Sequence, residues 1–363
     1  MKVIIATGGT GGHIYPGILI GKYLKDVGFE ILFTIGRRER EVEILKKEHL
    51  PFISLPIPSP SKIYFYPSLI FSLLLSFKII KEFKPDKIVG TGSYSSFPIL
   101  FWAKFFKIPY FLHEQNLILG KVNKIFSKNA KKVFISFEDT KIHIKNKNYV
   151  FTGFPVRENI GKIKKDEGKD KLGIMTDKKI FLLIGGSGGS KYLLELIKKY
   201  EEEIYLMNLF GIIIKGNVLF NENFKFENKT FNYLDEIEYA YGASDFVIGR
   251  GGAGTLWEIL ISKKPSLIVP IKNSFHQIKN SEIVEKLKIG EVFYSDDGNV
   301  FIEKFKKLND NLNLYKENFE RFSLPNTKDI ILKEIMNEWK GSSYWNRWFW
   351  NGISYKSSFK RGI

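Results

Sequence analysis

Two glycine-rich turns stand in matching positions of this chain, one in each half. Gly8-Gly9-Thr10-Gly11-Gly12-His13 follows the apolar run 2–6, and Gly185-Gly186-Ser187-Gly188-Gly189-Ser190 follows the apolar run 180–184. A buried strand, then glycines, then a helix start presents bare backbone N–H groups to a phosphate. Glycine also makes tight strand-to-helix turns for steric reasons alone, so each turn reads either as a phosphate cradle or as a corner. His13 adds chemistry to the first. At a helix N-terminus the dipole favours the neutral imidazole, the form that a general base requires. A capping or packing histidine is the other reading of the same position.

A third segment, Gly249-Arg250-Gly251-Gly252-Ala253-Gly254-Thr255-Leu256-Trp257-Glu258, follows the run 245–248 and opens a helix. Its glycines let a diphosphate approach the helix N-terminus. Glu258 lies about one turn into that helix, where a carboxylate can accept hydrogen bonds from both hydroxyls of a ribose. A glutamate there also stabilises the helix without any ligand. Ahead of it, Phe231-Asn232-Tyr233-Leu234-Asp235 offers backbone groups to a nucleobase edge. Beyond it, the stretch 270–280 supplies Gln277, an amide suited to sugar hydroxyls.

These residues need elements to hold them at the ends of strands. Continuous Val, Ile, Leu and Phe runs predict strands at 2–6, 30–35, 87–91, 109–113, 132–136 and 149–152 in the first half. In the second half they predict strands at 180–185, 210–215, 229–231, 245–249, 266–270 and 291–294. Unbroken apolar runs suit strands covered by helices on both faces. Their alternation with helical patterns predicts an α/β protein with a doubly wound parallel sheet in each half. Gly153-Phe154-Pro155-Val156-Arg157, followed by the lysine-rich stretch 158–178, marks the junction. The expected divisions are 1–153, 154–325, a helix over 326–340 that could return to the first domain, and an aromatic, basic tail over 341–363.

The 363 residues suffice for two domains of ordinary size, and 44% hydrophobic with 26% charged residues describes a globular chain. The chain has no cysteine, which excludes disulfides and thiolate metal sites and fits a reducing compartment. Met1-Lys2 leads directly into a strand, leaving no room for a signal peptide. The net charge of +17 fits compositional drift toward lysine, or anionic lipid head groups, acidic substrates or nucleic acid. No nucleic-acid module supports the last. The uncharged stretch 63–77, bounded by Lys62 and Lys78, is shorter than the roughly 20 residues of a membrane-spanning helix. Ser68, Ser72 and Ser76 mark one weakly polar face of it. The stretch 97–111 mixes Phe101, Trp102, Phe105 and Phe106 with Lys104 and Lys107, as an interfacial helix does. Both stretches read as core helices or as a peripheral membrane contact, and the second reading is favoured.

Taken in order, the His13 turn with Ile14-Tyr15-Pro16-Gly17, His113-Glu114-Gln115-Asn116, the 153–157 junction, the Arg250–Glu258 segment and His276-Gln277 resemble the MurG family. The resemblance covers residues 1–338. It implies an inverting N-acetylglucosaminyltransferase of the GT-B type, with two doubly wound Rossmann-like domains facing a cleft, acting in peptidoglycan synthesis and cell wall biogenesis. By resemblance, UDP-N-acetylglucosamine is bound by Thr10, Gly11, Gly12, Asn116, Arg157, Ser187, Leu234, Ala253, Gly254, Thr255, Glu258 and Gln277. The acceptor implied is undecaprenyl-pyrophosphoryl-muramoylpentapeptide (lipid I), with Gly92, Ser93, Tyr94 and Ser95 on the acceptor side and His13 as candidate base. The localisation implied is the cytoplasmic face of the cell membrane, bound peripherally at an anionic surface. The chain has no Asp-x-Asp carboxylate pair, so no metal and no cofactor is expected in the site.

The chain departs from the family where it reads Gly92-Ser93-Tyr94-Ser95-Ser96 for Gly-Gly-Tyr-Val-Ser, Phe154 for Asn, Gly188-Gly189-Ser190 for Gln-Gly-Ala, and Ser59-Pro60-Ser61-Lys62 without the family's Arg. Most of these changes fall on the acceptor side. The alternatives are another UDP-sugar transferase with a different lipid or soluble acceptor, a sugar-nucleotide epimerase of the same fold, and a non-catalytic membrane-associated scaffold.

Overall fold

Apolar runs too long for a half-exposed strand condense into two parallel sheets. The computed structural model describes residues 1–9, 11–57 and 64–337. The first sheet is built from β1 (Lys2–Ala6), β2 (Glu30–Ile35), β3 (Phe52–Ser54), β4 (Lys87–Gly90), β5 (Tyr110–Glu114), β6 (Lys132–Ile135) and β7 (Tyr149–Phe151), in the order β3-β2-β1-β4-β5-β6-β7. The second holds β8 (Lys179–Ile184), β9 (Leu209–Ile214), β10 (Asn228–Phe231), β11 (Phe246–Gly249), β12 (Ser266–Ile268) and β13 (Gly290–Val292), ordered β10-β9-β8-β11-β12-β13. All pairings are parallel, and Val3, Ile4, Ile5 and Ala6 are fully buried, as helices on both faces require.

Each sheet reverses its winding at one place, between β1 and β4 in the first and between β8 and β11 in the second. Open parallel sheets leave a crevice at the carboxyl ends of their strands at such a switch. The turn ending in His13 follows β1 and the Gly185–Ser190 turn follows β8, so both fall at switch points. The Gly249–Gly252 stretch follows β11 at the same crevice as the second turn.

The described strands match the sequence expectation to within a residue or two, with one addition, β3. It lies between Pro51 and Pro56, is only three residues long and half-buried, and pairs on one side alone with β2. Its brevity and prolines hid it. The helix Thr327–Asn337 buries Ile331 and Ile335 against Val3, Ile5, Phe111 and Phe134 of the first domain. Lys87, also buried, donates to the Ile335 carbonyl from β4. Residues 338–340 and the tail 341–363 lie outside the described residues.

In the helix Phe65–Phe83 the weakly polar face marked by Ser72 and Ser76 is the one turned inward. Ser72 and Ser76 are fully buried, while Tyr66, Ile70, Phe71 and Leu74 are exposed. Small serines allow close approach of the helix Phe97–Phe105, whose Trp102 Nε1 donates to the Leu73 carbonyl at 2.7 Å. The bulky side chains are left facing outward.

Candidate functional site

The two glycine turns meet. A Cβ on Gly11 would lie 2.7 Å from Ser187 Oγ and 3.1 Å from Ser187 Cβ, across the gap between domains. Arg40 donates to the Ser187 carbonyl, Lys47 pairs with Asp235, and the Tyr15 and Tyr233 hydroxyls lie 3.4 Å apart. Behind them Trp257, buried on the helix Ala253–Ser262, packs on Phe137 and Phe151 of the first domain. Gly153, with φ of +73°, adopts a conformation that suits glycine, and a Cβ there would lie only 2.8 Å from the Trp257 ring. A cleft of about 2070 Å³ runs along this junction.

Of the sequence-derived residues, Gly11, Gly12, His13, Asn116, Arg157, Ser187, Leu234, Ala253, Gly254, Thr255, Glu258 and Gln277 line that one cleft. Thr10 lies outside the described residues, as do Ser59 to Lys62. Gly92, Ser93, Tyr94 and Ser95 do not reach the cleft wall. In the turn Tyr94–Ser96, Ser95 Oγ donates to the carbonyl of Thr7, just past β1, at 2.9 Å and lies 2.8 Å from Ser93 Oγ. Tyr94 is held by Arg38, whose Nη2 donates to its hydroxyl at 2.6 Å.

His13 Nδ1 lies 2.8 Å from the Thr91 carbonyl. A carbonyl only accepts, so that bond assigns the proton to Nδ1 and leaves Nε2 with a lone pair. Burial pulls its pKa below the ordinary imidazole value; the Thr91 hydrogen bond opposes this in part, and His276 and Arg38 add smaller downward contributions. The neutral form is therefore the resting form at pH 7. The Gln115 carboxamide stands against the same ring, 2.6 Å from Nδ1 and 3.2 Å from Nε2. Two donors cannot face each other, so with the proton on Nδ1 the amide turns its otherwise unpartnered oxygen to that N–H and leaves the Nε2 lone pair free.

On the opposite wall, burial raises the Glu258 carboxyl above its ordinary value while the Arg157 guanidinium draws it back. Tyr241 donates to Glu258 Oε2 at 2.9 Å, leaving the second carboxyl oxygen for a ligand. Arg157 donates to the Asp235 carbonyl at 2.6 Å and its guanidinium stands 5.9 Å from the Tyr15 ring centre, so it spans both domains. Arg250 braces the second glycine turn through Ser190 Oγ, at 2.6 Å and 3.0 Å. Gln277 Oε1 accepts from Ile271 N at 3.1 Å, which leaves its amide nitrogen to the cleft.

Sequence reasoning missed four contributors. Glu41, buried, accepts from Gly9 N at 2.6 Å and Gly36 N at 2.9 Å and so fixes the first glycine turn. Its place in the first turn of the helix Glu39–Lys47, three residues after Arg38, was the available signal. Tyr241 gave no local signal, being set by packing. Gln115 lies inside the His113-Glu114-Gln115-Asn116 motif, where the resemblance implies a role for Asn116 alone. Asn280 stands three residues after Gln277, on the same helix face.

Residues 3–135 match the glycosyltransferase family 28 N-terminal domain and residues 180–331 match the glycosyltransferase family 28 C-terminal domain. The chain is 35% identical over 311 residues to a UDP-N-acetylglucosamine--N-acetylmuramyl-(pentapeptide) pyrophosphoryl-undecaprenol N-acetylglucosamine transferase of Clostridioides difficile, covering 80% of this chain and 76% of the relative. It is 32% identical to the protein of that name from Christiangramia forsetii, covering 92% and 97%. Among solved structures, MurG of Acinetobacter baumannii superposes with a TM-score of 0.73 at 20% identity, over 93% of this chain and 99% of that one. The UDP-GlcNAc 2-epimerase of Neisseria meningitidis gives 0.66 at 16% identity, over 93% and 100%.

Proposed function

The chain belongs to glycosyltransferase family 28, and from that premise we propose that it transfers N-acetylglucosamine from UDP-N-acetylglucosamine to the muramoyl 4-hydroxyl of lipid I, giving lipid II. The observation that carries the reading is the convergence of the family's donor motifs and a neutral His13 on one interdomain cleft. The relatives at 35% and 32% identity carry that activity in their names.

In the reaction the acceptor 4-hydroxyl attacks the anomeric carbon from the face opposite UDP. The bond from that carbon to the diphosphate oxygen breaks with its electron pair going to UDP, and the configuration inverts. The hydroxyl proton passes to His13 Nε2, whose lone pair the Thr91 bond leaves free. Negative charge developing on UDP meets the N-termini of the helices Lys191–Lys199 and Ala253–Ser262, with Arg157 beside them. Glu258 holds the ribose, Leu234 faces the uracil, and Gln277 holds sugar hydroxyls. No divalent metal is assigned a part, and turnover should persist undiminished after exhaustive chelation. Strict dependence on added Mg²⁺ would overturn that assignment.

The membrane contact falls to the outward face formed by Tyr66, Ile70, Phe71, Leu74 and Phe105, each more than half exposed, with Lys78, Lys81, Lys104 and Lys107 around it. An apolar patch rimmed by cations fits an anionic lipid surface. No described helix is long and apolar enough to cross a membrane. Transfer of radiolabelled N-acetylglucosamine to lipid I or a short-chain analogue tests the reading directly. Binding of UDP without transfer would instead favour a transferase with another acceptor.

A further inference from the structure

We propose that Asn280 is a positioning residue that couples the donor wall of the cleft to the base on the opposite domain. The inference rests on the reading of His13 as that base. Asn280 is 1% exposed and lies on the helix Phe275–Leu287, one turn beyond Gln277. Its Oδ1 accepts from Leu117 N at 2.9 Å, and its Nδ2 donates to Asn116 Oδ1 at 3.1 Å and reaches the Gly251 carbonyl at 3.4 Å. One side chain therefore ties the Gly249–Glu258 donor segment to two successive residues of the first domain.

The segment it grips is anchored from its own side by Glu114. That carboxylate is fully buried and accepts from Asn116 N at 3.0 Å, Gly120 N at 2.8 Å and Asn123 Nδ2 at 2.9 Å. Between β5 and the residues held by Asn280 sits Gln115, whose carboxamide contacts both nitrogens of the His13 ring. The path is short and continuous: Asn280, then Asn116 and Leu117, then Gln115, then His13. A shift of 116–117 moves Gln115 against the ring that must meet the acceptor hydroxyl.

Adhesion alone does not account for a buried carboxamide here. The neighbouring contact between domains is made by the Trp257 ring on Phe137 and Phe151. Apolar packing holds surfaces together without fixing direction, whereas a carboxamide satisfied at both ends sets distance and orientation. Misplacement of a reacting group by about 1 Å costs up to ~100-fold in rate, so a positioning role shows in turnover.

The test is steady-state transfer to a lipid I analogue with UDP-N-acetylglucosamine varied. Asn280→Ala should lower kcat about tenfold or more while the donor KM changes less than about threefold. Gln115→Ala should do the same, and the double variant should be no slower than the slower single, because both act along one path. Asn280→Asp keeps the oxygen that Leu117 N needs but sets an acceptor against Asn116 Oδ1 and the Gly251 carbonyl in place of the amide donor. It should lower kcat with the same small change in donor KM, and it decides the matter if Asn280→Ala does not fold. Wild-type kcat in Asn280→Asp, or multiplied losses in the double variant, would refute the coupling. His13→Ala serves as the control on the premise. Full activity there removes the base reading, whereas an inactive His13→Ala beside a fully active Asn280→Asp removes only the coupling.

Discussion

At the scale of single residues, the cleft separates two roles by environment. His13 is kept neutral by burial, and its Nδ1 proton is committed to Thr91. A base whose pKa is lowered keeps its free form as pH falls and loses it only on passing through the lowered value. The acid limb of kcat, measured with both substrates saturating, should therefore lie below pH 6.5, and a limb at or above that value would remove His13 from the role. His13→Ala should cut turnover with little change in UDP affinity. Glu258 has one oxygen bonded to Tyr241 and one free. Loss of a charge-assisted pair to the ribose costs about 1–3 kcal/mol, so Glu258→Ala should raise the donor KM roughly five- to 150-fold; an unchanged KM would separate Glu258 from the donor. Phe154, where the family usually has Asn, is buried with its ring 5.8 Å from the His113 ring. Its ring atoms lie 3.7 Å from where a Gly254 Cβ would stand, so the departure fills the hinge with an apolar contact.

At the scale of elements, the helices Phe65–Phe83 and Phe97–Phe105 show what patterning discloses and what it conceals. The outward Leu74 and Phe105 are 63% and 66% exposed, so charging them should cost the fold little, within ~0.5 kcal/mol each. Leu74→Glu with Phe105→Glu should nevertheless weaken co-sedimentation with anionic vesicles severalfold. Equal sedimentation would remove this face as a membrane contact. Strands buried on both faces were legible because every residue is apolar, as in Ile180–Leu183. The glycine turns were legible because only particular residue types fit a strand-to-helix corner. The inward serine face was not, since Ser72 and Ser76 are polar by type yet chosen by the close approach of a neighbouring helix. Nor was the fate of Ser93 and Ser95, whose hydroxyls are spent on each other and on Thr7. Hydrogen bonds between distant segments leave no periodic trace, and Asn280 with Leu117, 163 positions apart, is such a case.

At the scale of the whole molecule, the two domains are joined at several points. Trp257 packs on Phe137 and Phe151, Asn280 holds Asn116 and Leu117, and the helix Thr327–Asn337 returns from the second domain to the core of the first. A donor bound between such domains stabilises them as one unit. At a concentration 100-fold above its dissociation constant, UDP-N-acetylglucosamine should add about 2.7 kcal/mol, which for a chain of this size raises Tm by on the order of 3–4 °C. The melt should remain a single transition. An RNA or DNA oligomer should give no comparable shift if the +17 charge is a surface property and not a nucleic-acid site. Differential scanning fluorimetry at low and high salt decides the question, because contacts to phosphate on a charged surface weaken steeply with salt while a buried donor is screened far less. A stabilisation that appears with any polyanion and vanishes at high salt would assign the charge, and not the cleft, as the main binding feature of the molecule.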